Sequence, residues 1–158
     1  MHAAIRDTPV AHPSNRLGAS LLVVGAGILL YRTIALLVAG AGQVLKRWVV
    51  GLTLAEMLVD VITIVKSACW WLTRHPRHAR AAMRAGAVAT ALHAVRVAVF
   101  VLGRTGPWKD FDVRPDKRAD HDERWTWAQV VLAGVLSVMG LGGVVVIRRT
   151  RRHPRNAP

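Results

Sequence analysis

The sequence predicts an all-α integral membrane protein, an antiparallel four-helix bundle with both termini on the same, cytoplasmic, side. Three observations lead there. Apolar residues (AVILMFWYC) fill 53% of the 158 positions and the mean hydropathy is +0.31. Lys and Arg nevertheless outnumber Asp and Glu by 22 to 9, a formal charge of +13, and a soluble domain of this size rarely joins such hydropathy to a pI near 11.7. Finally, the apolar residues gather into four runs close to the roughly 20 residues that a helix needs to cross about 30 Å of hydrocarbon, with most of the charge between them. The apolar content excludes a disordered chain, and Cys69, the single cysteine, excludes an intrachain disulfide scaffold.

The first run covers 17–41, the second 48–72, the third 85–102 and the fourth 125–147, leaving a charged outer loop at 104–124 and a basic cytoplasmic tail at 148–158 of a single membrane domain. Ala39-Gly40-Ala41 resembles a signal-peptidase site, but the run before it is longer than a signal h-region and contains Arg32, so it reads as a span. Indole rings prefer the boundary between headgroups and tails. Trp48 opens the second run, Trp70 and Trp71 close it, Trp125 and Trp127 open the fourth, and Trp108 lies in the loop before it. Glycines and Ser137 in the fourth run and alanines in the third allow close helix contact in lipid, within one chain or between chains. No internal repeat relates the runs.

Orientation follows from the cations. Eleven Lys and Arg fall in the N-terminal arm, the 73–84 connection and the tail, against eight in the other two connections, which favours cytoplasmic termini in an inner membrane. Arg74, Arg77, Arg80, Arg84, Arg148, Arg149, Arg151 and Arg152 then sit where anionic headgroups are contacted, at about 1 kcal/mol each. Such a pI also suits nucleic acid, but no aromatic residues interleave the arginines, and the expected partners are membrane lipids, with a homo-oligomer or a membrane-complex subunit as the assembly.

The outer loop holds six cations and six anions and reads as a solvated, salt-bridged segment. Asp110-x-Asp112 opens like a calcium loop, but Pro115 stands where the turn needs glycine and His121 where the bidentate Glu belongs. His75 and His78 have a zinc-like spacing among repelling arginines, and only His93 among the histidines lies inside a run, so neither metal nor haem is expected and no cofactor is predicted. Cys69 reads as a small thiol at the inner interface. No Walker, GxGxxG, HExxH or GxSxG pattern occurs.

Ionisable residues inside spans are costly and face a bundle interior or a hydrated cavity. Six occur: Arg32, Glu56, Asp60, Lys66, His93 and Arg96. At about 100° per residue, Thr53, Glu56, Asp60, Thr63 and Ser67 share one helical face, with Lys66 beside it. Thr90, His93 and Arg96 form an arc about 120° wide, and Arg32 and Gln43 differ by only about 20°. At about 1.5 Å per residue from the outer ends, Glu56 and Asp60 lie about 12 and 18 Å deep, Arg96 and His93 about 9 and 14 Å, and Arg32 about 14 Å. These five therefore share a layer in which two carboxylates face two guanidiniums and His93 is left to change charge near neutral pH.

Three functions fit that cluster. The leading one is non-enzymatic: a polar latch fixing helix pairing in a membrane subunit or interaction protein. The second is a transporter or channel component in which Glu56, Asp60 and His93 bind an ion or relay protons. The third is acid–base chemistry on a lipid-like substrate, with a carboxylate as base and an arginine holding an anionic group.

Overall fold

In the computed structural model, residues 13–73, 75–105, 107–108, 110–117 and 127–152 are described. Four long helices dominate: α1 (Pro13–Leu36), α2 (Arg47–Thr73), α3 (Pro76–Thr105) and α4 (Trp127–Arg152). Each is long and apolar enough to cross a membrane. Among the described residues there is no β-strand. α1 and α3 each pack against both α2 and α4, so the helices close a ring.

The ends of these helices have local causes. α1 runs into a wide π-helical turn, Leu37–Ala41, and breaks at Gly40, whose φ of 91° lies in the left-handed region that costs glycine nothing. The break corrects the phase expected between Arg32 and Gln43: Gln43 lies beyond it and is exposed. Between α2 and α3, the His75 Nδ1 accepts the Arg77 N–H at 3.3 Å and caps α3, whose first residue, Pro76, needs no N–H partner. α3 thus begins well before the expected 85, because the Ala- and Arg-rich stretch from Pro76 continues the helix past the apolar segment. The zinc-like pair is tied into this turn, with His78 N–H donating to the His75 carbonyl at 2.9 Å.

The charged segment after α3 is salt-bridged as expected, through Arg104 and Asp112, and Arg114 to Lys117 are exposed, but Asp112 and Val113 are docked into the bundle end; 118–124 lies outside the described residues. Lys46 N–H donates to the Asp112 carbonyl and Arg114 N–H to the Val44 carbonyl, both at 3.0 Å. Val113 is fully buried against Val44, Leu45 and Val49. The Asp112 carboxylate accepts from Arg104 Nη1 at 2.9 Å and lies over Gly103, in space that a Cβ would need. Arg104 also stacks on the Phe100 ring, 3.7 Å from its centroid. Trp48, Phe111 and Trp108 form a half-exposed aromatic group at this end, with centroids 4.9 and 5.5 Å apart.

Burial is inverted relative to a water-soluble bundle. Glu56 and Asp60 are 0% exposed while Leu58, on the same helix, is 62% exposed. Val24, Ile28, Leu54, Val95, Val135 and Val138 likewise face outward. A surface of this kind belongs in a solvent as apolar as the side chains themselves. Inside, two apolar cores bracket the polar residues. At the α2–α3 turn end lie Ala19, Leu22, Trp70, Ala79, Ala82 and Ile147; at the other end lie Val44, Leu45, Val49 and Val113. Trp70 is therefore a core residue, 5% exposed, and not part of the interfacial belt, whereas Trp71 and Trp48 are exposed. Trp125 lies outside the described residues, as does the side chain of Trp127.

α1 and α4 approach through glycine. A Cβ on Gly143 would come within 2.8 Å of the Gly18 carbonyl oxygen, a backbone atom that cannot step aside, whereas a Cβ on Gly142 meets nothing within 4 Å. Gly143→Ala is expected to destabilise by about 1–3 kcal/mol through overpacking, and Gly142→Ala to be neutral or slightly stabilising. Thermal unfolding in detergent checks this, and equal effects of the two variants would contradict the packing described.

Candidate functional site

Helical spacing on α2 brings Thr53, Glu56, Asp60, Thr63 and Ser67 to the interior, and all five are buried. Their hydroxyls are suited to an apolar surround because Thr53 and Thr63 donate back to the carbonyls of Val49 and Val59, at 2.9 and 2.8 Å. On the facing helix, Thr90 does the same to Gly86 at 2.9 Å, and His93 and Arg96 follow one and two turns later.

The charges meet in two pairs. Arg96 Nη1 donates to Glu56 Oε2 at 2.5 Å, with the Arg96 side chain 12% exposed. His93 Nε2 lies 3.2 and 3.1 Å from the two Asp60 carboxylate oxygens, and its Nδ1 is 3.8 Å from Glu56 Oε1, beyond hydrogen-bond range. The imidazole thus sits between two carboxylates, and both pairs join α2 to α3. A lone charge at such a depth costs about 2.5–3.5 kcal/mol on insertion scales, and a well-aligned partner offsets much of it.

The pairing differs in one respect from the sequence expectation of carboxylates facing two guanidiniums. Glu56 takes Arg96, but Asp60 takes His93. Arg32, from α1, borders a cavity together with His93 and Arg96 and lies in Coulomb range of Arg96. Lys66 is half-buried beside the stripe.

Two cavities flank the imidazole. Both are small, with room for about one water each: one is walled by Arg32, Thr33, His93, Arg96 and Phe100 among others, and a second has Asp60, Thr63, Thr90, His93 and Ser137 in its wall. His93 and Leu29 border both. Sequence reasoning missed Thr33 and Ser137 as polar wall residues. Thr33 follows Arg32 directly in an apolar run, a signal that was present; Ser137 sits among glycines, where it reads as packing. The arginines expected at lipid headgroups are exposed where described (Arg77, Arg80, Arg84, Arg148 and Arg149), while Arg74 and the side chains of Arg151 and Arg152 lie outside the described residues.

Comparison of the chain with known protein families, with curated proteins and with solved structures returns no match.

Arg96→Leu alone leaves the Glu56 carboxylate buried without its guanidinium and is expected to destabilise by about 3–5 kcal/mol. Adding Glu56→Gln should recover much of that loss, because the uncompensated charge is then gone. A double-mutant cycle by unfolding in detergent measures the coupling, and strictly additive losses would refute the pair.

Proposed function

We propose that this is a non-enzymatic, multi-pass protein of the cytoplasmic membrane, a structural or interaction subunit whose ionic layer locks α2 to α3 in one register. The observation that carries this reading is the closure of the layer. Both of its acids are matched within the chain, Glu56 to Arg96 and Asp60 to His93, and an apolar core brackets it on either side. A latch requires such internal matching, whereas a conduction path needs groups that exchange partners with water.

The helices run antiparallel in this reading, supported by Gly18 lying against Gly143 and Ile147 while Gly25 lies against Leu136 and Gly140. Both termini face the cytoplasm, where the exposed arginines at the α2–α3 turn and at the end of α4 meet anionic headgroups. The apolar outer surface is available to lipid, to further copies or to a membrane partner.

One observation favours a second reading as a proton carrier: His93 touches both cavities and hydrogen-bonds a buried carboxylate. The two readings separate experimentally. Under the latch, Asp60→Asn and His93→Ala each lower the unfolding midpoint by several degrees, and proteoliposomes of the unaltered chain pass no more protons than empty vesicles. Unchanged midpoints, with proton flux in the unaltered chain that the variants abolish, would replace the latch by the carrier.

A further inference from the structure

The ionic pairs join α2 to α3, and α4 carries no charge between Trp127 and Ile147 with which to reach them. Ser137 of α4 is nevertheless buried. It borders the second cavity together with Thr90 and His93 of α3 and Asp60 and Thr63 of α2. The packing places a second hydroxyl at the same height: a Cβ on Gly140, one turn beyond Ser137, would come within 3.3 Å of Thr90 Oγ1, so the Thr90 hydroxyl lies against α4.

Each hydroxyl on this wall directs its proton to its own helix. Thr63 donates to the Val59 carbonyl and Ser137 to the Ala133 carbonyl, both at 2.8 Å, and Thr90 donates to the Gly86 carbonyl at 2.9 Å. Their oxygens keep lone pairs, and the Asp60 carboxylate, facing His93 Nε2, keeps further acceptor capacity of its own. Acceptors from three helices therefore line one small space while the hydroxyl donors are committed elsewhere. Such a wall suits an occupant that brings its own hydrogens. The space is that of about one water, which needs two to four polar partners, and the wall supplies them. A cation would also suit oxygen ligands, but it would add charge to a layer whose two acids already face Arg96 and His93, with Arg32 in Coulomb range of Arg96. Water adds none.

We propose that this cavity holds one buried water, with one hydrogen directed to the Asp60 carboxylate and the other shared between the Thr90 and Ser137 oxygens, so that α4 is tied into the layer. The inference rests on the latch reading and extends it from two helices to three.

The full chain in bilayers of phosphatidylcholine with phosphatidylglycerol is measured by proton-detected solid-state NMR with magnetisation transferred from water. Transfer to Thr90 and Ser137 is expected, against none to Ala82 and Ile147 in the apolar core. In detergent, Ser137→Ala and Thr90→Val should each lower the unfolding midpoint by about 2–4 °C, the shift that one neutral hydrogen bond produces in a chain of this size. The double variant should lose less than the sum, because both side chains contact the same water. Replacing choline chloride by sodium chloride at constant ionic strength should leave the midpoint where it is. Transfer to Thr90 and Ser137 no greater than to Ala82 and Ile147 overturns the proposal, as do losses that add in full. A midpoint raised by sodium overturns it in favour of a cation. Failure of the latch itself would appear separately, as unchanged midpoints in Asp60→Asn and His93→Ala.

Discussion

An ionised side chain can stay charged in an apolar interior only beside a partner, and Glu56 and Asp60 are both fully buried on one helix. Those two carboxylates dictate what must face α2. The facing helix has to present bases at matching depth, which α3 does with Arg96 and His93. The outward side of α2 must then be aliphatic, as Leu54, Leu58 and Val61 are. The short connection through His75, whose ring caps the Arg77 N–H, delivers α3 at the height where the pairs close. A slip of one turn, about 5.4 Å, would separate both pairs at once, so the layer selects a register that small apolar residues alone leave undetermined.

Hydrocarbon surroundings give no hydrophobic drive between helices, so cohesion has to come from elsewhere. α1 and α4 use backbone proximity, with Gly18 and Gly143 in contact. α2 and α3 use the ionic pairs. The loop end uses a clasp in which Leu45 bridges Val113 and Arg104 holds Asp112. The three devices act on different parts of the bundle, and the close approach of α1 to α4 brings Arg32 to the wall of the larger cavity beside Arg96.

Much of this was legible in the sequence, for a physical reason: where a helix is continuous, phase and depth are simple arithmetic. Thr53 to Ser67 on α2 and Thr90 to Arg96 on α3 lie within unbroken helices, and their side chains converge as that arithmetic requires. Extrapolation failed where continuity failed, at Gly40, which turned Gln43 away from Arg32. Composition also misled where one residue's surroundings differ from those of its neighbours. Trp70 and Trp71 are adjacent, yet a turn of about 100° sends one into the core and leaves the other outside. In the charged loop, Val113 was the overlooked signal, since a buried valine draws Asp112 and its backbone into the clasp. That Asp60 meets His93 depends on which helices are neighbours, and no property of a single helix contains that.

The central claim is that Asp60 and His93 touch inside the bundle and so tie α2 to α3. Because His93 is the histidine placed at the layer, solid-state NMR in lipid bilayers can address it directly, by dipolar recoupling between ¹⁵N in histidine side chains and ¹³C in aspartate carboxyls. The expected result is a coupling corresponding to the 3.1 and 3.2 Å nitrogen–oxygen contacts, lost on Asp60→Asn. A buried His93 signal with no aspartate coupling would contradict the account.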